Sequence, residues 1–223
     1  MAKINAGAQS TWRKKAGAYV YRKWRNLNVA AIYQPNVKNP RTLAQQRTRA
    51  RLGALSQLSN GMAGAINNGL RNVTKGTKWS PRNMFVKLNF EVVSATTPES
   101  VSIDYTHIVV SKGPLNNPNI GAPQFDNPNE VTLSCALTGL PGGYQSYEVF
   151  TVLYSADLTL SVMKATRFES ASGTITVEVP SSWNGARVHI WCWAKYIGNT
   201  DVGNALYEGT VSNSIYCGSG NIS

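Results

Sequence analysis

Val131-Thr132-Leu133-Ser134-Cys135-Ala136-Leu137 alternates apolar and polar residues without a break, and Thr174-Ile175-Thr176-Val177-Glu178-Val179 repeats the pattern. A period of two is the signature of a strand with one face buried and one face wet. Two more runs, Tyr147 to Tyr154 and Val188 to Tyr196, are aromatic-rich and apolar almost throughout. Val101-Ser-Ile-Asp-Tyr-Thr-His-Ile-Val-Val alternates first and then turns apolar, and Val211-Ser-Asn-Ser-Ile-Tyr-Cys reads as a last strand. Turn residues separate these runs: Lys112-Gly-Pro, Asn116-Asn-Pro-Asn, Asp126-Asn-Pro-Asn, Leu140-Pro-Gly-Gly and Trp183-Asn-Gly. About seven strands with such punctuation predict an antiparallel immunoglobulin-like β-sandwich over residues 96–223.

Upstream the texture is helical. Leu43, Ala44, Ala50, Leu52, Leu55 and Leu58 recur near helical spacing, which predicts a helix over about 42–59. Its start is either Asn39 capping ahead of Pro40, or Thr42 capping with Gln45 three residues on. Asn60-Gly61 ends it, and Met62, Ala65, Ile66 and Leu70 predict a second helix over about 62–72 despite glycines 61, 64 and 69. Ser80-Pro81 opens a third, carrying Met84, Phe85 and Leu88. The expected fold class is therefore α+β: a basic arm with short strands (1–35), a helical region (36–95) and the sandwich, with a boundary near Ser94-Ala-Thr-Thr-Pro. Within the arm, residues 1–16 are small, polar and basic and are expected to be disordered alone. Residues 17–34 predict one or two short strands, turning near Asn26 and Asn28.

Charge is distributed very unevenly. Glu91 is the first acidic residue; the 90 residues before it carry 17 Lys/Arg, so +17, and the rest carry 5 Lys/Arg against 11 Asp/Glu, so −6. Such asymmetry predicts that the N-terminal part meets something negative: nucleic acid, an acidic membrane surface or acidic neighbouring subunits. The candidate contact residues are Trp12, Arg13, Lys14, Lys15, Tyr19, Tyr21, Arg22, Lys23, Trp24, Arg25, Tyr33, Arg47, Arg49 and Arg51. Guanidinium on phosphate with aromatics on bases is how nucleic acid is held, and the same residue types dominate protein–protein hot spots. At 100° per residue, Arg47 and Arg51 share one side of a helix and Arg49 lies roughly opposite.

Other chemistry is sparsely represented. His107 and His189 both read as strand residues, without a motif that supplies a nucleophile and an orienting group. Carboxylates are scattered; Asp126-Asn-Pro-Asn-Glu130 is the densest group and falls short of a calcium or magnesium pattern. Cys135, Cys192 and Cys217 are widely spaced with no CxxC, which predicts free thiols in strands and no zinc site. No phosphate loop or dinucleotide fingerprint is present. No catalytic residue, cofactor or metal is expected. The start lacks the apolar stretch of a signal peptide, and no run approaches the roughly 20 apolar residues of a membrane span. No membrane partner is expected.

Two ordered series of strings carry a resemblance. One is Lys15-Ala-Gly, Trp24 among basic residues, and Asn39-Pro-Arg-Thr followed by Gln45, Gln46 and Arg47. The other is Ile103-Asp-Tyr, Val109-Val-Ser-Lys-Gly-Pro-Leu, Val179-Pro-Ser-Ser-Trp-Asn-Gly and Val211-Ser-Asn-Ser-Ile-Tyr. Together they resemble an uncharacterised family of about this length found in Bacteroidota and in their phages and prophages. The chain departs from that family near its start, where Thr11-Trp-Arg-Lys-Lys-Ala-Gly stands in place of a glycine-rich stretch.

The resemblance transfers no catalytic residue and implies a context: a virion structural protein, a neck or tail ring component of a crAss-like phage. The expected partners are copies of itself in a ring and other virion proteins, with the virion as location, assembled in the host cytoplasm. The alternative expectation is a nucleic-acid-binding protein with a basic N-terminal arm. A third is an adhesin-like sandwich on a fibre.

Overall fold

The computed structural model describes residues 2–4, 14–24, 27–36, 41–137, 146–198 and 210–222. The chain divides into two compact units, Met1–Thr42 and Leu43–Ser223.

The first unit holds β1 (Ala2–Ile4), β2 (Lys14–Ala16), β3 (Tyr19–Trp24) and β4 (Leu27–Ile32), in the sheet order β1-β4-β3-β2. β3 and β4 form the expected hairpin, with Trp24 opposite Leu27 and Tyr19 opposite Ile32. Residues 1–16 were expected to be without structure of their own. Two of their stretches are strands instead, because the hairpin offers an edge on each side: β1 pairs with β4 and β2 with β3. Gly17, at φ +60°, makes the turn between β2 and β3 that a residue with Cβ adopts only under strain.

The second unit starts with three helices, α1 (Leu43–Gly61), α2 (Ala63–Thr74) and α3 (Pro81–Asn89). α1 begins directly after Thr42, the second of the two expected caps; Asn39 and Pro40 lie outside the described residues. α3 starts as its sequence predicts: Ser80 Oγ accepts from the Asn83 N–H at 3.1 Å and Pro81 opens the helix. Such a cap is worth about 1 kcal/mol.

The strands that follow are β5 (Val93–Ala95), β6 (Val101–Ile103), β7 (Asn119–Ile120), β8 (Glu130–Ala136), β9 (Tyr147–Ser155), β10 (Leu160–Arg167), β11 (Ser172–Glu178), β12 (Arg187–Tyr196) and β13 (Ile215–Asn221). They form sheets ordered β10-β9-β12-β13, β11-β8-β7 and β5-β6, and their ladders are antiparallel. The expected strand at 101–110 stops at Ile103. Asp104 accepts the Thr106 N–H with its side chain and starts a short 3-10 turn, Tyr105–His107, so His107 is a turn residue and not a strand residue.

Two apolar clusters account for the sequence patterns. The first joins Val131, Leu133 and Cys135 of β8 and Ile175 and Val177 of β11 to Val149 and Leu153 of β9 and Val188, Ile190, Cys192 and Ala194 of β12. The alternate residues of β9 and β12 (Phe150, Val152, Tyr154, Trp191 and Trp193) lie in the second cluster with Leu55, Leu58, Ile66, Leu70 and Phe85 of the helices. The central strands β9 and β12 are thus buried on both faces, which is why they read as continuous apolar runs while β8 and β11 alternate.

The same arrangement corrects the expected domain division. The helical region is not a body separate from residues 96–223; its helices are the lid of a sheet face that water would otherwise meet, and both belong to one unit. The connection is further tied by Asn89. Its amide donates to the carbonyls of Phe85 (2.9 Å) and Val109 (3.0 Å) and accepts the Val109 N–H (2.7 Å).

Candidate interaction surface

Side chains alternate across β3, so the register sorts the basic sheet into two faces. Tyr19, Tyr21 and Lys23 share a face with Lys14, Ala30 and Ile32. Val20 and Arg22 share the other with Lys15, Val29 and Ala31. Among the described residues, none from this sheet is a member of either apolar cluster. Tyr19 and Tyr33 are 47% and 42% exposed and Ile32 70%, so large apolar groups are left in water beside the exposed Lys14, Lys15, Arg22 and Lys23. The Lys15 ammonium lies 3.8 Å from the centre of the Tyr33 ring. That contact keeps cation and aromatic together as one amphipathic patch.

The candidate residues do not all belong to this patch. Tyr21 is buried, with its ring 6.3 Å from that of Tyr19, and is not presented to a partner. Trp12, Arg13 and Arg25 lie outside the described residues, and Trp24 is described only as the backbone end of β3. On α1 the wheel reading holds in its outline: Arg47 and Arg51 are half-buried and Arg49 is exposed.

Arg51 is a correction to the expected interface. Its guanidinium lies 3.9 Å from the Phe90 ring centre, donates to the Phe90 carbonyl and reaches Glu91 Oε2 at 3.3 Å. It clamps α1 to the segment after α3, since the helix turn that carries it faces that segment. The sequence signal for this clamp was Glu91 itself, the first carboxylate after a long run of cations.

The two histidines take different roles. His107 Nδ1 lies 2.7 Å from Asp104 Oδ2 and 3.0 Å from Thr106 Oγ1, on the surface. Both partners meet the same ring nitrogen. A hydroxyl–imidazole–carboxylate relay needs opposite nitrogens, so this turn is not one. Hydrogen bonds from Thr106 and then His107 hold the Asp104 carboxyl below its ordinary value. His189 is buried, stacked on Tyr105 at 3.8 Å between ring centres, with Nδ1 3.1 Å from the Tyr216 hydroxyl. Burial, helped by nearby Arg187, lowers its pKa to about 4.

This buried imidazole makes stability pH-dependent. The native state holds His189 neutral down to about pH 4, whereas the unfolded chain protonates near 6.5. Stability is therefore full above pH 6.5 and is lost as pH falls from there through 4. The loss expected is about 1–2 kcal/mol, after discounting the full linkage value for solvent near the ring. Thermal melts across this window should show it, and His189→Gln should flatten that part of the profile. An identical profile in the variant would refute the assignment.

The cysteines are free: Cys135 and Cys192 are buried and Cys217 half-buried. Burial raises the Cys135 thiol to about 12, and a hydrogen bond with Cys217, then burial, raises Cys192 well above its ordinary value. Both therefore stay protonated and inert as nucleophiles. Among the described residues no three His, Cys, Asp or Glu side chains cluster as metal ligands, and no helix is long and apolar enough to cross a membrane. In the densest acidic stretch, Asn127 Nδ2 donates to Glu130 Oε2 at 2.9 Å.

No curated protein matches the chain. Among solved structures, the crystal structure of selenomethionine-substituted chicken interferon gamma receptor alpha chain is similar at 11% identity, over 55% of this chain and 56% of that one. Its TM-score of 0.36 is too low to bear on fold or role. The profile of the family of unknown function DUF6266 matches residues 10–218, nearly the full length, and the chain belongs to that family.

Proposed function

We propose that this protein is a non-enzymatic structural component of a phage virion, a neck or tail ring subunit that assembles through its N-terminal sheet. One observation carries the reading: a small sheet whose described charged side chains are all basic leaves Tyr19, Ile32 and the adjoining Tyr33 exposed. A sheet of such short strands gains stability from something that covers it. Residues 91–223, at −6, supply a complementary charge on the next copy, and contacts of this head-to-tail kind close into rings. The sheets β10-β9-β12-β13 and β11-β8-β7 share one core, which supports an immunoglobulin-like sandwich as the body of such a subunit. The phage context rests on the sequence resemblance.

The second reading is nucleic-acid binding, favoured by Lys14, Lys15, Arg22 and Lys23 lying exposed among tyrosines on both faces of the sheet. Salt separates the two. Apolar and aromatic contacts survive screening, so sedimentation of the full chain should show an oligomer that persists near about 0.5 M salt, where the Debye length is roughly 4 Å. Tyr19→Ala with Tyr33→Ala should yield a folded monomer. Nucleic-acid binding instead falls with log salt, at a slope of about −0.9 per phosphate neutralised. Monomers at every salt concentration that bind duplex DNA steeply would replace the first reading by the second.

A further inference from the structure

Cys135, Cys192 and Cys217 are far apart in the chain, yet all three meet in the first apolar cluster, the first two within it and Cys217 packed against it. A buried free cysteine is ordinarily just a small apolar side chain. The strand register sets two of these apart. Between β12 and β13, Cys192 lies opposite Ile215 and Trp191 opposite Tyr216, but Ile190 lies opposite Gly218. Cys217 is therefore the extra residue of a bulge, with no residue opposite it, and bulges re-aim side chains. Its thiol leans back toward the row of Cys192: Sγ donates to the Ile215 carbonyl at 3.6 Å. The Cys192 and Cys217 thiols are hydrogen-bonded to each other. On its other flank Cys192 Sγ lies 3.3 Å from the hydroxyl of Thr151, its register partner on β9.

Exposure orders the three thiols. Cys135 and Cys192 are buried, whereas Cys217 is half-buried on β13, the edge strand of its sheet. An oxidant arriving from solvent meets Cys217 first. We propose that Cys217 and Cys192 form a redox-sensitive pair, in which Cys217 takes the oxidant, a peroxide, and Cys192 closes a disulfide that locks β13 to β12. The Cys217 sulfur attacks one oxygen of hydrogen peroxide; the O–O bond breaks, water leaves and a sulfenic acid remains. The Cys192 sulfur then attacks the Cys217 sulfur. The S–S bond forms, the S–O bond breaks, and the Cys192 proton departs with the hydroxyl as a second water. Each thiol gives up one electron and the peroxide takes both. Cys192 is protonated and closed to solvent, so contact with Cys217 is what brings it an electrophile, and the Thr151 hydroxyl is placed to donate to its sulfur as charge develops. Both cysteines belong to the second compact unit, so the pair does not depend on what the N-terminal sheet does.

The test treats the folded full chain with hydrogen peroxide, blocks remaining thiols by alkylation, and maps tryptic peptides by mass. Cleavage after Arg187 and Lys195 separates Cys192 from Cys217, so their bridge appears as two joined peptides, lighter by two hydrogens than their sum. Free thiols are expected to fall from three to one, with Cys135 alkylated. In denaturant, where the fold no longer selects the pair, this preference should vanish. Cys192→Ser should leave a Cys217 sulfenic acid that dimedone captures, and Cys217→Ser should leave Cys192 reduced. The urea midpoint of the bridged protein should rise and return on adding reductant, because the bond restricts the unfolded chain. Mapping uses the unaltered protein, so it does not depend on a variant folding. A Cys135–Cys192 bridge, bridges between chains, or three thiols still free after peroxide each overturn the proposal. A bridged form whose midpoint is unchanged or lowered overturns the lock.

Discussion

Phe85→Ala is expected to destabilise the protein by about 3–5 kcal/mol. Phe85 is fully buried in the cluster that joins α1, α2 and α3 to Phe150, Val152, Trp191 and Trp193 of the sheet. Truncation removes an aromatic ring from a close-packed region that relaxes only partly, so the cost combines lost transfer energy with an unfilled cavity. The helices and the sheet should unfold together, because they share this cluster. Denaturant melts followed by helix dichroism and by tryptophan fluorescence should therefore move to one lower midpoint. Trp191 and Trp193, under the helices, make fluorescence report the sheet. A variant that loses its helix signal first, with the tryptophan transition unmoved, would show two independent bodies and overturn the single-unit description.

The second large effect is at Gly69, and its contrast with Gly64 makes it specific. By helix propensity alone, alanine at either position should help by about 1 kcal/mol. At Gly64 nothing lies within 4 Å of an added Cβ, so Gly64→Ala should stabilise by about 0.5–1 kcal/mol. At Gly69 the Cβ would lie 2.6 Å from the Val110 carbonyl oxygen and 2.9 Å from Ser111 Cα, both backbone atoms unable to swing aside. That approach is fixed by bonds on the Gly69 carbonyl, which accepts from Lys112 N at 3.3 Å and from Ser111 Oγ at 3.2 Å. Gly69→Ala should cost about 2–3 kcal/mol net, as overpacking and the broken lashing outweigh propensity. Urea midpoints of the two variants should move in opposite directions from the unaltered protein. Equal movement would mean that α2 does not lie this close to residues 110–111.

The glycines show how far the residues alone reach. In sequence, Gly61, Gly64 and Gly69 read equally as weaknesses in a helical stretch. In the fold, Gly61 and Gly69 are close-approach points and Gly64 is open. Nothing local distinguishes them, because the difference at Gly69 lies in a backbone segment 42 residues away in the chain.

What was legible is what short-range physics controls. The start of α3 follows from the Ser80 hydroxyl cap and proline at the first turn, and α1 begins at the residue after Thr42. β8 and β11 follow from alternation, because each meets water on one side. The β3–β4 hairpin follows from aromatic and β-branched content, and the +17 and −6 asymmetry follows from counting. Tertiary structure decided the rest. A strand buried on both faces, such as β9 or β12, carries no period and cannot say what covers it. Only packing assigned the helices to that role and merged two expected domains into one unit. Packing likewise drew Arg51 out of the surface set through Phe90 and Glu91, and moved Tyr21 inside while leaving Tyr19 and Tyr33 in water. The reason is the same in each case: sequence records what each residue prefers, whereas the choice among partners depends on long-range contacts that only the folded chain brings within reach.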